Sequence, residues 1–149
     1  MKRFTILGFI LVFVSITMLG CQSEDNKDSN NKINLKDEIK EINIFRSNDF
    51  KKEDSDLIVS SGDIDNTEIF ETVKTIINDA VKQAGIVDMT EPNYDLQIVY
   101  EDDSTKELYL WLMEVEDGKG SLMEVEETHL VYTFSKELNA KLIDLIKPK

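Results

Sequence analysis

One long amphipathic segment constrains the fold most. Between Asn66 and Ala84, apolar side chains recur every three or four residues, which predicts a helix with a single apolar face. That face consists of Ile69, Phe70, Val73, Ile76, Ile77, Ala80, Val81 and Ala84. Asp65 is suited to cap the start, and Gly85 is suited to the left-handed residue that follows a helix. A helix with such a face needs a sheet to cover.

The segments on either side of the helix alternate as strands do. Before it, EINIFRS at 41–47 and the shorter DLIVSS at 56–61 predict two strands that a charged loop joins as an antiparallel pair. After it, YDLQIVY, ELYLWLMEVE and THLVYTF predict further strands. Ser135 then caps a short C-terminal helix that Pro148 stops.

The pentapeptide LMEVE occurs at 112–116 and again at 122–126, around DGKGS. Five residues are too few for a structural repeat, so the pattern indicates a hairpin. A three-residue loop from Gly118 to Gly120, with Gly120 left-handed, keeps the side chains of both arms on matching faces. That register would place Glu114 opposite Glu124.

Both faces of the strand at 108–115 carry large apolar groups. Leu108, Leu110 and Leu112 share one face, and Tyr109, Trp111, Met113 and Val115 share the other. Either a bulge near 126–128 switches faces, or the second face meets the C-terminal helix or a partner. The candidate contact surface is therefore Tyr109, Trp111 and Met113, and the alternative is that these residues pack under the terminal helix.

The N-terminus is typical of a targeting segment. Lys2 and Arg3 precede an apolar run of about 16 residues that ends in MLGC. This ending resembles a bacterial lipobox, so Cys21 is expected to carry a diacylglyceryl group after cleavage before it. The following QSEDNKDSNNK lacks apolar residues and is expected to be a disordered tether. The predicted divisions are a signal peptide at 1–20, lipidated cysteine and tether at 21–36, and one domain at 37–149.

Charge narrows the range of partners. The chain has a formal net charge of −13, and loss of Lys2 and Arg3 with residues 1–20 would make it −15. So acidic a domain repels nucleic acid and anionic polymers. Its expected partners are the membrane through the lipid on Cys21, an envelope protein, or a small neutral or cationic ligand. The single cysteine excludes an internal disulfide and a cysteine cluster for zinc.

Several blocks together resemble a known family. GIVDMTEPNYDLQIVY, LYLWL and GSLMEVEETHLVYTFS, followed by a terminal helix, are similar to the YhfM-like lipoprotein domain of bacilli and their relatives. The resemblance covers about residues 64–146 and agrees with the lipobox. It implies a surface lipoprotein of Gram-positive bacteria, and it implies no catalytic or binding residue.

No motif of the sequence indicates catalysis or a metal site. His129 is the only histidine, predicted mid-strand and without a nucleophile motif nearby, and no phosphate-binding glycine loop appears. DIDNTE at 63–68 begins like a calcium loop but lacks its glycine and distant glutamate, so Asp65 is better explained as a helix cap. The acidic run 101–103 is expected in a solvated turn. No metal and no cofactor are predicted.

These patterns predict an α+β domain with an antiparallel sheet, one long helix across it and a short C-terminal helix. The sequence favours a non-catalytic interaction or ligand-binding module, anchored to the cell membrane on its extracytoplasmic side. The alternative is a small hydrolase that modifies the cell wall with carboxylates.

Overall fold

A computed structural model of the chain describes residues 31–36, 38–48, 56–62, 66–85 and 87–147. The strands are β1 (Ile39–Arg46), β2 (Asp56–Ser60), β3 (Val81–Lys82), β4 (Tyr94–Tyr100), β5 (Thr105–Trp111), β6 (Gly120–Glu124) and β7 (Val131–Phe134). The helices are α1 (Thr67–Asp79) and α2 (Lys136–Ile146). Neither of these two helices is long and apolar enough to cross a bilayer, among the residues described.

Within the described residues, seven strands form one antiparallel sheet in the order β2-β1-β4-β5-β6-β7-β3. The predicted antiparallel pairing of the two N-terminal strands is confirmed, and so is the α+β class. Strands β4 to β7 follow one another as a meander, and β1 lies beside β4. The short strand β3 pairs with β7 at the far edge.

The main core lies between the sheet and the two helices. In β1 and in β4 to β7, even-numbered residues face the helices, because side chains alternate across a strand. The largest fully buried ones include Ile42, Ile44, Leu96, Ile98, Leu108, Leu110 and Leu122. From α1, the buried set is Ile69, Thr72, Val73, Ile76 and Ile77. The predicted apolar stripe therefore covers the sheet as expected as far as Ile77.

The end of α1 differs from the prediction. The helix stops at Asp79, and Ala80 already has an extended conformation with ψ 135°. Val81 and Lys82 pair instead with β7, and the Gln83 backbone N–H donates to the Val131 carbonyl at 2.8 Å. The open edge of β7 thus takes the backbone groups that would have continued the helix. Gly85 is left-handed with φ 91°, but it lies beyond the helix and does not cap it.

The register between β5 and β6 also differs. Leu108, not Glu114, lies opposite Glu124, so the predicted pair of glutamates is wrong. The shift is by an even number of residues, so each side chain keeps its predicted face. Strand β5 ends at Trp111 because side chains take the next backbone donors: Leu112 donates to Asn93 Oδ1 at 2.9 Å and Met113 to Asn139 Oδ1 at 3.0 Å.

Gly120 has a different role from the predicted one. It is the first residue of β6, and a Cβ there would lie 2.0 Å from the ring of Phe134. The left-handed residue of the loop is Asp117, with φ 61°. Gly120 is therefore needed for close approach of a ring and not for a turn.

The meander keeps one register from β5 to β7, and residues 125–130 form turns between β6 and β7. The first of the two alternatives for the second face, a bulge near 126–128, is therefore wrong for the described residues. The terminal helix begins as predicted, since the Ser135 side chain accepts a hydrogen bond from the Leu138 backbone N–H.

Packing begins before the predicted domain boundary at residue 37. Ile33 is buried at 4% exposure, Leu35 packs on the core, and the Lys36 ammonium forms an ion pair with Asp102 at 2.8 Å. Residues 33–36 are therefore part of the domain and not of a disordered tether. The signal segment, Cys21 and the predicted cap Asp65 lie outside the described residues.

Candidate functional site

Of the three residues of the predicted contact surface, Tyr109 and Trp111 lie side by side, and Met113 lies apart from them. Trp111 is buried at 5% exposure, in a second small apolar cluster with Met123 and Val131 on the sheet face away from the helices. Tyr109 is half-buried at the edge of that cluster, with its ring 6.3 Å from that of Trp111. Burial and the charge of Asp95 raise the pKa of the Tyr109 phenol.

A loop covers Trp111, and not the terminal helix that the sequence suggested as an alternative. The indole Nε1–H donates to the carbonyls of Thr90 and Glu91, both at 3.0 Å, and Met89 packs against the cluster. The segment at 87–92 thus seals this part of the second face. Met113 is 46% exposed and lies beyond the end of β5, beside α2. The three side chains do not form one continuous surface.

A polar cleft lies at the other end of β5, where the strand begins. It has two lobes of about 500 Å³ and 360 Å³ that share Asn34, Lys106 and Glu124. The N-terminal segment before β1, residues 32–36, forms one wall. Residues of β5 and β6 and of the turns at 125–130 form most of the rest, and β3, β4, β7 and the turn before β5 contribute one residue each. Its charged lining residues are Lys32, Lys36, Lys82, Lys106, Glu107, Glu124, Glu126 and Glu127.

The central feature of the cleft is an ion pair between Lys106 Nζ and Glu124 Oε2. The two side chains are 22% and 16% exposed, whereas the other ion pairs between described residues join side chains that are about half exposed or more. Both residues occupy inward, even-numbered positions of adjacent strands, just past the region that the helices cover. A charge pair thus stands where the sheet would otherwise continue its apolar face.

A tyrosine and the histidine, Tyr132 and His129, line the smaller lobe. Tyr132 is a buried residue of β7, and burial together with the charges of Glu124 and Glu127 raises the pKa of its phenol. The phenol therefore stays protonated at neutral pH. His129 is exposed and lies in the turn before β7, so its predicted mid-strand position is wrong. It lines this lobe together with glutamates and lysines, and none of the described residues that line the lobe is a serine, threonine or cysteine.

The rim at the N-terminal segment is held by paired charges. Asp102 accepts hydrogen bonds from Lys36 and from Ser104, and these hold the pKa of its carboxyl well below the usual range. Lys40 pairs with Asp103 at 2.8 Å, and that bond raises the pKa of Lys40. The predicted acidic turn is confirmed, and its aspartates serve as partners of these lysines.

Among the described residues, no three His, Cys, Asp or Glu side chains are grouped so that they could hold a metal ion. Residues 63–65 of the calcium-like DIDNTE motif lie outside the described part. The cleft can therefore offer ammonium, carboxylate, amide and hydroxyl groups to a ligand. These groups bind by hydrogen bonds and by charge.

Sequence reasoning missed this cleft, although one signal was present. Lys106 and Glu124 have the same parity as the inward-facing Leu108 and Leu122, and opposite charges at inward positions of neighbouring strands suggest a buried pair. The incorrect hairpin register hid the signal, because it placed Glu124 opposite Glu114. The contribution of Lys32 and Asn34 could not be read from the sequence, since it depends on where the N-terminal segment packs.

The family model described as YhfM protein matches residues 36–149. The chain belongs to the YhfM family. The match spans most of the chain and includes both helices and every described strand. No curated protein matches the chain significantly in sequence.

One solved structure shares the fold of this YhfM family member. It is the crystal structure of a thioesterase-like protein from Clostridium sporogenes ATCC 15579, with 21% sequence identity and a TM-score of 0.54. The alignment covers 76% of this chain and 98% of that one. At this level of identity the similarity extends to the fold alone.

Proposed function

We propose that this YhfM family member is a lipid-anchored, extracytoplasmic module that binds a small neutral polar ligand in the cleft around Lys106 and Glu124. Binding, rather than catalysis, is its function in this proposal. The anchor is the lipid on Cys21, as the lipobox-like MLGC suggests. Two acyl chains are enough for stable attachment to a membrane.

The partly buried ion pair carries this proposal. Removing two charges from water costs more free energy than an apolar pair of similar size would, unless further hydrogen bonds compensate. An ammonium has three donors and a carboxylate about four acceptor positions. Within the described chain, the Lys106 and Glu124 side chains hydrogen-bond only to one another. A ligand in either lobe could take the remaining donors and acceptors.

The charge balance of the cleft favours a neutral ligand. Four lysines and four glutamates line it, in contrast with the strong negative charge of the whole chain. A ligand with a single sign of charge would meet as much repulsion as attraction, whereas a zwitterion or a sugar can use both kinds of group. Asn34, Ser104 and Tyr132 add neutral hydrogen-bonding groups.

The position of the cleft fits a protein tethered at its N-terminus. Lys32 and Asn34 line it, so the cleft lies at the end of the domain from which the chain leads back toward Cys21. A polar coil from Cys21 to Lys32 would reach about 20 Å. The ligand would then be bound close to the outer surface of the membrane.

Thermal unfolding of the full chain in a nonionic detergent tests the cleft. L-alanine and N-acetylglucosamine serve as probes without net charge. Inorganic phosphate serves as the anionic probe and putrescine as the cationic one. We expect a neutral probe at millimolar concentration to raise the Tm by about 2 °C or more. Lys106→Met should abolish the shift, and Lys136→Met, which removes an exposed lysine elsewhere, should retain it. A shift with the charged probes alone, or with none, would contradict the proposal.

An activity assay on the full chain tests the alternative that the protein is a hydrolase. Incubation with wall polymer should release no product if the module only binds. Product release that is lost in a folded Glu124→Gln variant would establish a hydrolase and overturn the binding proposal.

The lipid anchor has an independent test. Cells that express the full chain should incorporate labelled palmitate into it, and Cys21→Ser should lose both the label and membrane association. Incorporation that persists in Cys21→Ser would exclude Cys21 as the attachment site.

A further inference from the structure

A second recess lies at the opposite end of β5, between the loop at 112–119 and helix α2. It encloses about 500 Å³. Met113 and Val115 of the loop form one side, and Ala140 and Ile143 of the helix form the other. Met113 is 46% exposed and Val115 62% exposed, and they are two of the five large apolar side chains that are exposed among the described residues. We name this recess the acidic groove, for the charges along its rim.

The loop that carries these side chains is held in place. Asn139 is buried at 2% exposure, and its amide both donates to the Met113 carbonyl at 2.8 Å and accepts from the Met113 N–H at 3.0 Å. A turn follows, in which the Gly118 N–H donates to the Val115 carbonyl at 3.0 Å and Lys136 pairs with Asp117. The apolar side chains are thus displayed from an ordered backbone, which lowers the entropy cost of binding.

The rim of the groove is acidic. Glu114, Glu116, Asp117, Glu137 and Asp144 line it, against the two lysines Lys136 and Lys147. Carboxylates around an apolar recess attract cations and disfavour anionic partners. A second copy of this chain would bring the same acidic rim and the same net negative charge, so self-association through this groove is disfavoured.

We propose that the acidic groove docks a basic segment of a partner protein, in which lysine or arginine residues flank one aliphatic side chain. The aliphatic group enters between Val115 and Ile143, and the flanking cations meet the carboxylates of the rim. This site goes beyond the proposed ligand cleft and does not depend on it. The groove lies at the end of β5 remote from Lys106, hence remote from the N-terminal segment. In a tethered molecule it would point away from the membrane.

Peptide binding to the full chain in nonionic detergent tests the proposal, with binding to empty micelles subtracted. The probe is fluorescein-labelled Lys-Arg-Leu-Lys-Arg with blocked ends. The controls replace its leucine by serine, or its cations by glutamate and aspartate. We expect saturable binding of the leucine probe, weaker binding of the serine peptide and no binding of the acidic peptide.

Variants locate the binding. Val115→Ser should weaken binding about fivefold, since it removes an apolar contact. Glu114→Gln combined with Glu116→Gln should weaken it about threefold to tenfold and reduce its dependence on salt. Leu57→Ser is the matched control, because Leu57 is similarly exposed at 57% but lies on the distant strand β2. Circular dichroism should show each variant to be folded.

Equal binding of the leucine and serine peptides would show attraction by net charge alone and overturn the proposal. Loss of binding in Leu57→Ser but not in Val115→Ser would place the site elsewhere and overturn it as well. No saturable binding of the leucine probe at millimolar concentration would also overturn it.

Discussion

The two ends of β5 differ in how their charged side chains are buried and balanced. At its start, Lys106 is partly buried and paired with Glu124, in a cleft where charges of both signs balance. At its end, Asn139 provides the buried polar contacts, while carboxylates and apolar side chains remain open to water. The first arrangement suits a ligand without net charge, and the second suits a cationic partner. In the two proposals, one strongly acidic chain presents two surfaces with different selectivity.

The largest effect on stability is expected just before the acidic groove, at the last residue of β5. Trp111→Ala would leave a cavity beneath the loop at 87–92 and remove the donor for the Thr90 and Glu91 carbonyls. We expect a loss of about 3–5 kcal/mol in the free energy of unfolding, measured with urea. Met113→Ala should change it by less than about 1 kcal/mol, since Met113 is largely exposed. Equal losses would mean that Trp111 is not core.

The order of the acidic groove should depend on Asn139. Asn139→Ala leaves the backbone N–H and carbonyl of Met113 without their side-chain partner, so we expect a loss of about 2–3 kcal/mol. Hydrogen exchange should quicken in the loop at 112–119, while the N-terminal segment at the cleft keeps its protection. If the loop at 112–119 and the N-terminal segment lost protection together, the groove and the cleft would unfold as one unit.

The Lys106–Glu124 ion pair of the cleft should contribute more to the free energy of unfolding than the exposed Lys136–Asp117 pair at the groove. Lys106→Met leaves Glu124 partly buried and unpaired, and we expect a loss of about 1–2 kcal/mol. A double variant with Glu124→Leu should recover most of that stability. Lys136→Met, which removes the exposed partner of Asp117, should cost less than about 1 kcal/mol. A larger loss at Lys136 would reverse the comparison.

The smallest effect concerns the cleft rim and its pH dependence. Asp102 has a lowered pKa because of Lys36 and Ser104, so its pairing stabilises the fold at neutral pH. That contribution is lost as the pH falls below about 4, where the carboxyl of the unfolded chain becomes protonated. Lys36→Met should raise the Asp102 pKa toward the ordinary value, as carbon NMR of the carboxyl can measure, and Ser104→Ala should raise it less. An unchanged pKa in Lys36→Met would show that the pair does not persist in solution.

Local patterns predicted most elements of this fold. The apolar stripe of α1, the alternation in β1 and β4, and the Ser135 cap each depend on nearby residues, and the structure contains all three. The sequence also assigned the correct face to each residue of β5 and β6, because facing depends on parity alone.

The errors arose where distant residues intervene. Strand β5 stops because Asn93 and Asn139 take the backbone donors of Leu112 and Met113, and no pattern near residue 112 indicates this. Helix α1 stops because β7 accepts the backbone of Val81 and Lys82. Both candidate sites depend on long-range contacts of this kind, so the cleft and the acidic groove could not be located from the sequence.

A crossed binding measurement tests the central claim, that the two ends bind different partners, most directly. Isothermal titration of the full chain would use the neutral probe that raises the Tm most and the Lys-Arg-Leu-Lys-Arg peptide, each against the unmodified protein, Lys106→Met and Val115→Ser. We predict that Lys106→Met loses the neutral probe and keeps the peptide, and that Val115→Ser keeps the neutral probe and binds the peptide about fivefold more weakly. Variants that weaken the binding of both probes together, or of neither, would contradict the account.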